Sequence, residues 1–368
     1  MQRRESYVDI AKAFAIIAVV VGHIGSSFAS SHLLPDLHTF IYLWHVPVFF
    51  MIGGFFLSDD RLLNPLAFIK GKFKSLYLPM IAIYLGVSLF HNLFFDWGWY
   101  STMVDYGGKC VAPWTAASYL KQFLLIICLA GREPLLGAMW FVIVLFIALC
   151  GLSVISYLAK RWSSDRIPFE ILRASILFAL FLIAYCLSRL EILSVPRFNN
   201  SFTAMWLIYL GMMIRRWNIS FDRHIPALFF AAVVVLFTYI TSGVSLNENR
   251  FDGVVILSLT SFCALYAICY ISRCLADTKA GNLLAYIGRD SFHIMAYHLI
   301  AFKICTMILN AIGYNPLAVE QSDGAVTPLP LDILTPDVGS NLILWLIYLS
   351  AGTLLPLLPI AIYRRLKK

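Results

Sequence analysis

Two ionisable residues stand inside the most apolar part of the N-terminal sequence. Lys12 and His23 bracket the run KAFAIIAVVVGH. On a helix, eleven residues are about three turns, so the two side chains share a face roughly 16 Å apart and cannot bond to each other. A second apolar run, YLWHVPVFFMIGGFFL (42–57), carries His45 near its start, and YIGRDSFHIMAYH (286–298) ends on His298, five residues before Lys303. An imidazole with an unperturbed pKa of about 6.5 can take a proton from a hydroxyl at neutral pH. It can equally act as a nucleophile and form a covalent intermediate, and the residues leave both routes open. The ordinary alternatives are a histidine tied to a backbone carbonyl and an Asp9–Lys12 pair at i,i+3 that neutralises itself.

The elements that must position these groups follow from composition. Of the 368 residues 60% are hydrophobic and only 13% charged, and the mean hydropathy is +0.80. A soluble domain carries roughly twice that charged fraction. Apolar stretches near the ~20 residues needed to cross a bilayer recur along the chain, which predicts an all-α, polytopic membrane protein. Ionisable groups in such spans usually face a functional interior. Ten spans are expected at 8–28, 40–57, 76–95, 136–158, 169–187, 202–214, 225–240, 254–271, 291–312 and 342–363. With both termini cytoplasmic, 20 of the 28 Lys and Arg residues lie in or beside inner segments, six lie outside, and Lys12 and Lys303 are within helices. A crossing by the short segment 114–130, which holds Lys121, would turn the basic loops and tail outward, against the positive-inside rule. That segment is therefore read as a re-entrant or interfacial part of a long outer loop, 96–135. His23 and His45 then lie at similar depth, within roughly 10 Å of the outer surface by helix rise.

No repeat of 20–50 residues and no low-complexity linker divides the chain, so residues 1–368 are expected to form a single membrane-embedded domain. Asp9 and Lys12 and the lack of a small-residue cleavage site argue against a removable signal peptide. The net charge of +8 is explained mostly by inner loops, so no nucleic-acid partner is expected. The eight cysteines form no CxxC pair and lie mostly in apolar runs, as small core residues. There is no phosphate loop, HExxH or GxSxG, and no metal is expected. What remains is the inner stretch RLLNPLAFIKGKFKSLYLP (61–79), with Arg61, Lys70, Lys72 and Lys74. It reads either as ordinary inner charge or anionic-lipid contact, or as a landing site for a phosphorylated cofactor.

Taken together, these segments resemble the acyltransferase-3 family of multi-pass membrane O-acyltransferases, especially its fucose 4-O-acetylase-like branch. YVDIAKAFAIIAVVVGH (7–23) is similar to the family's opening signature, a basic residue separated by ten residues from a histidine. WHVPVFFMIGGFF (44–56), FKSLYLP (73–79), GAMWFVIVLF (137–146) and YIGRDSFHIMAYH (286–298) resemble further family segments, in family order. The resemblance implies ten spans and transfer of an acyl group, usually acetyl from acetyl-CoA, to an extracytoplasmic carbohydrate hydroxyl. It also implies a bacterial inner-membrane location and roles in polysaccharide O-acetylation. By position, His23, His45 and Lys12 become the catalytic candidates, and Lys12, Lys70, Lys72 and Lys74 the candidates for holding acetyl-CoA. Trp114, Arg132, Trp140 and His298 become candidates for the carbohydrate; Trp114 and Arg132 lie in the outer loop with Trp97 and Trp99, where aromatic residues are also common as membrane-interface anchors. Two departures stand out. The family's frequent arginine is Lys12 here, which keeps the charge but loses a bidentate fork, and its usual serine is Gly53, which moves weight from an acyl-serine to histidine. The competing classes are a glycan or small-anion transporter without chemistry and a non-catalytic acyltransferase-like partner. Transporters commonly show inverted repeats and broken helices in corresponding halves, and the sequence shows neither.

Overall fold

The computed structural model describes residues 6–25, 37–101, 111–190, 197–317 and 328–367. The helices in chain order are α1 (Ser6–Gly22), α2 (Leu37–Tyr42), α3 (His45–Phe55), α4 (Asp59–Leu62), α5 (Pro65–Lys72), α6 (Leu78–Leu89), α7 (His91–Asp96), α8 (Ala116–Ile127), α9 (Trp140–Trp162), α10 (Phe169–Arg189), α11 (Phe198–Arg216), α12 (His224–Ile240), α13 (Val254–Leu275), α14 (Lys279–Arg289), α15 (Ser291–Ala311), α16 (Leu342–Leu354) and α17 (Leu358–Leu366). A π-helical turn, Phe73–Tyr77, joins α5 to α6, and 3-10 turns precede α9 and join α16 to α17. Among the described residues no strand forms, only isolated bridges between Gly25 and Asp337 and between Ser245 and Arg250. An all-helical chain is what hydrocarbon demands, because each helix satisfies its own backbone polar groups.

Six helical stretches are long and apolar enough to cross a bilayer: 37–55, 134–162, 169–189, 254–275, 291–311 and 342–366. The other expected spans are also helical where described, but shorter, less apolar or broken. The segment expected at 40–57 is interrupted at Leu43–Trp44, because Pro47 lacks the N–H that would continue the helix and instead sits in the first turn of α3. Pro79 likewise cannot donate to the Ser75 carbonyl, and the adjoining turn widens so that Leu78 N–H reaches Phe73 O. At 202–214 the helix is longer than hydropathy suggests, since α11 begins with the polar residues Asn199, Asn200 and Ser201, all buried. The segment 114–130 contains α8, twelve residues long. That is about 18 Å of helix, against a hydrocarbon core of about 30 Å.

The chain divides into two compact units. The first comprises residues 1–15, 35–80 and 140–288, and the second 16–34, 81–139 and 289–368. In the first unit α3 and α11 cross in close contact. A Cβ on Gly54 would lie 1.9 Å from the Ile208 carbonyl oxygen, and one on Gly211 would lie 1.9 Å from that of Met51. Only glycine permits such an approach of two backbones. A third glycine, Gly288 of the Ile-Gly segment, abuts the Asp9 carbonyl in the same way, at 1.7 Å from a Cβ built there. The fully buried Arg173 ties α10 to the α4 turn through Asp59 at 2.5 Å and to Glu170 at 2.8 Å.

In the second unit α15 packs on α16. Gly352 makes room for Phe302 and Val20, and Thr306 and Tyr348 share a hydrogen bond of 2.7 Å. Arg364 grips Asp290 with two bonds of 2.7 and 2.8 Å. The loops of this unit are held by buried polar groups. Lys303 donates to the carbonyls of Leu331 and Ile333, and Asn310 bonds both N–H and C=O of Leu329.

Candidate active site

His23 follows the last turn of α1, and the chain beyond it is pinned. Gly25 N–H donates to Pro336 O at 2.8 Å and Val338 N–H donates to Gly25 O at 2.8 Å. This anchor holds His23 against α15, where its ring meets that of His298 edge-on, with centroids 4.9 Å apart at 66°. Both belong to the second unit. His23 Nδ1 donates to Val19 O at 2.8 Å, and His298 Nδ1 donates to Ile294 O at 2.9 Å. A carbonyl only accepts, so both Nδ1 atoms carry the proton in the neutral rings, and each Nε2 is left as the basic nitrogen. His298 is 0% exposed and its Nε2 has no hydrogen-bond partner among the described residues. A buried polar atom without a partner is costly and calls for an explanation, of which a catalytic role is one.

In the first unit the same device recurs at His45. Its position at the start of α3 lets Nδ1 reach back to Ile41 O at 2.7 Å, again leaving Nε2 as the base. Tyr42 lies edge-on to this ring at 4.9 Å, and His38 stacks on Tyr42 at 3.8 Å. The simple alternative of a carbonyl-bonded histidine is thus realised for one nitrogen of each ring.

Lys12 lies 3.5 Å from Asp9 and 5.1 Å from the Phe56 ring centroid. Its charge is partly met by its own helix, and the Asp9 carboxylate is itself nearly buried. Lys70 and Lys74 are exposed, whereas Lys72 is half-buried over the Phe68 ring at 5.2 Å. Burial first, and the nearby Arg61 second, push the Lys72 pKa below its ordinary value. Among the described residues Lys70, Lys72 and Lys74 have no carboxylate partner, unlike Arg173, Arg216 and Arg364. A polyphosphate fits this set. It would supply the missing counter-charge, and the depressed lysine is the group with most to gain from it.

The carbohydrate candidates fall in different settings. Trp140 opens α9 in the first unit, with the Arg197 guanidinium 5.8 Å from its ring. Arg132 is exposed in the second unit. Trp114 stacks on His91 at 3.9 Å and 12°, while Asn92 bonds its backbone N–H and carbonyl at 2.7 and 2.9 Å. Trp99 is buried with its indole N–H on the Met307 sulfur at 3.2 Å, and Trp97 is exposed.

The group that sequence reasoning missed is the one beneath Trp114. His91, 1% exposed, bonds Glu133 at 3.0 Å, and Tyr100 donates to the other Glu133 oxygen at 2.6 Å. Burial and the adjacent Glu133 push the Tyr100 hydroxyl pKa strongly upward, so this proton stays on. His91 Nε2 reaches Ala112 O at 3.2 Å, which leaves both its nitrogens engaged. This triad locks the loop that carries Trp114. Its members are 42 and 33 residues apart, and no local spacing announces them. Arg3, Arg4, Lys109 and Cys110 lie outside the described residues.

The arrangement supplies paired imidazoles in a fixed tautomer and a separate cluster of lysines without carboxylate partners among the described residues. A family model described as an acyltransferase domain (Acyl_transf_3) matches residues 5–362. No curated protein and no solved structure matches the chain.

Proposed function

This chain belongs to the acyltransferase-3 family, and from that premise we propose that it is a carbohydrate O-acetyltransferase of the bacterial inner membrane, close to the fucose 4-O-acetylase-like branch. Acetyl-CoA supplies the activated acyl group from the cytoplasm, and a hydroxyl of a surface or secreted polysaccharide accepts it outside. The observation that carries this reading is the His23–His298 pair, two neighbouring rings whose Nδ1 atoms are both committed to carbonyls. Fixing Nδ1 fixes the tautomer and aims Nε2, as a general base needs. His23 Nε2 takes the hydroxyl proton as the hydroxyl oxygen attacks the acyl carbon and the CoA thiolate leaves, and the buried His298 ring, edge-on to His23, holds that imidazole in position.

His45 is held in the same tautomer by its own carbonyl bond. Lys70, Lys72 and Lys74 hold the phosphates of the donor, with Lys12 joining them. The proposal includes ten spans with both termini cytoplasmic and the 114–130 segment as a re-entrant or interfacial piece of the outer loop. That topology puts the lysines inside and the histidines towards the outside, which is the order that transfer across the bilayer requires.

Membranes containing the wild-type protein, incubated with radiolabelled acetyl-CoA and bacterial surface polysaccharide, should acquire saccharide-bound label. His23→Ala and His298→Ala should each abolish it while leaving insertion intact. Transfer at the wild-type rate in both variants would remove the pair from the mechanism.

A further inference from the structure

A polar cavity of about 500 Å³ in the first unit has no part in the chemistry of the histidine pair. Its walls come from three places: α2, with His38 and Tyr42; the end of α10, with Ser188 and Arg189; and the connection 242–252 that leads into α13. The volume is within the range of small-molecule sites, ~300–1,000 Å³.

The 242–252 connection is not a loose wall. Ser245 and Arg250 exchange backbone hydrogen bonds of 2.8 and 2.9 Å. Asn200 on α11 donates to the carbonyls of Leu246 and Asn247 at 2.7 and 2.8 Å. Thr203 donates to Asn249, whose own amide donates to Ala184 O at 3.0 Å. Asn249 is held at φ 55°, a left-handed conformation that asparagine tolerates better than most residues. Buried polar groups of α10 and α11 thus hold the connection rigid where a simple hairpin would have joined α12 to α13. Rigidity of this kind is what a binding wall requires.

The cavity chemistry is specific. The stacked His38 and Tyr42 rings form an aromatic platform, and Ser188, Ser242 and Ser245 bring hydroxyls. Asp252 accepts from both the N–H and the hydroxyl of Ser242 and keeps its negative charge in the wall. Arg250 is paired with Glu248. Two arginines, Arg189 and Arg250, stand in the wall against one carboxylate, Asp252, and Arg189 makes no ion pair among the described residues. Aromatic faces, hydroxyls and a guanidinium together match a sugar ring bearing a carboxylate: the ring stacks, its hydroxyls bond the serines, and the carboxylate takes the arginine fork. Tyr42 also touches His45, at 4.9 Å between rings.

We propose that this cavity is a saccharide-binding subsite, and that it takes an acidic unit such as a uronic acid. The assignment rests on this cavity alone. It goes beyond the outer-loop tryptophans as the place where carbohydrate binds.

The test is a binding measurement on the purified full chain in neutral detergent, with trigalacturonate and maltotriose as acidic and neutral probes. Saturation-transfer NMR or calorimetry should show trigalacturonate bound and maltotriose at least tenfold weaker. Arg189→Gln should weaken trigalacturonate by tenfold or more and leave maltotriose unchanged, and Tyr42→Ala should weaken both. No binding of trigalacturonate to the wild-type protein, or equal binding by Arg189→Gln, overturns the proposal. Displacement of the probe by phosphatidylglycerol micelles but not by free galacturonate also overturns it, since Arg189 would then serve a lipid headgroup. Acetyl transfer from labelled acetyl-CoA is read in parallel on the wild-type protein. Saccharide binding without any transfer would sink the acyltransferase reading and keep the cavity, and transfer without Arg189-dependent binding would do the reverse.

Discussion

Adjacent glycines in α3 should respond oppositely to the same one-methyl change. Gly54→Ala places a Cβ 1.9 Å from Ile208 O and 2.8 Å from Ile208 C, both backbone atoms of α11. Ordinary contact begins near 3.4 Å, so the two helix backbones must separate by about 1.5 Å. No side-chain rotation relieves the clash, because nothing flexible lies there. Overpacking of this kind costs about 1–3 kcal/mol, and the reciprocal contact of Gly211 with Met51 O is opened by the same movement. Gly53→Ala meets only Leu145 Cδ1, at 3.8 Å. There the substitution fills open space and gains helix propensity of about 1 kcal/mol. Thermal unfolding in detergent, followed by thiol-reactive dye or by tryptophan fluorescence, should therefore lower the midpoint of Gly54→Ala and leave that of Gly53→Ala equal to or above wild type. Because α3 carries His45 at its start, Gly54→Ala should also lose acyl transfer. Equal midpoints for the two variants would refute the close α3–α11 crossing, and with it the reason for the glycine in this segment.

Further predictions concern the outer loop, the donor site and the membrane. Glu133→Gln removes the charge that faces buried His91 and Tyr100. Breaking one side of a buried pair costs about 3–5 kcal/mol, so proteolysis within 96–135 should accelerate markedly, and unaltered protease resistance would show the triad to be unimportant. Lys72 is held below its ordinary pKa in the free protein, and a bound phosphate favours the charged form. CoA affinity should therefore fall as pH rises through the depressed free-state pKa, below the ordinary 10.5, and Lys72→Met should flatten this dependence in a calorimetric titration from about pH 7 to 10. Reporter fusions near residues 65, 163, 219, 280 and 366 should lie inside and those near 105, 194, 246 and 325 outside. A C-terminal tail found outside would restore 114–130 as a crossing segment.

Residues that act through local spacing are legible in the sequence, and those that act over long separations are not. Lys12, His23, His45 and His298 stand out because each is a polar side chain in an apolar run, and hydropathy exposes such exceptions directly. The Asp9–Lys12 pair follows from an i,i+3 spacing and is present at 3.5 Å. Juxtaposition across the chain leaves no such trace: His23 and His298 are 275 positions apart, and only the packing of α15 beside the end of α1 brings their rings within 4.9 Å. The His91–Glu133–Tyr100 lock is invisible for the same reason, and the stacking of Trp114 on His91 therefore cannot be separated by sequence from a sugar-facing role. Polarity also misleads at the start of α11, where Asn199, Asn200 and Ser201 shorten the apparent span. Asn200 is inside the protein because it clamps the 246–247 carbonyls, and hydropathy counts such a residue as if it faced lipid. The breaks at Leu43–Trp44 and Phe73–Tyr77 come from Pro47 and Pro79, which the sequence displays, but proline alone does not tell a broken helix from a kinked one.

The central claim is that His23 performs proton transfer, or carries the acyl group, between a cytoplasmic acyl donor and an outer saccharide hydroxyl. Its most direct test is labelled acetyl transfer by reconstituted protein, wild type against His23→Ala, with CoA binding measured on the same preparations and the acetylated saccharide identified by mass spectrometry. Wild-type protein should yield acetylated saccharide, and His23→Ala should yield none while still binding CoA and unfolding at the wild-type temperature. Acetylated product from His23→Ala at a rate near wild type would contradict the account.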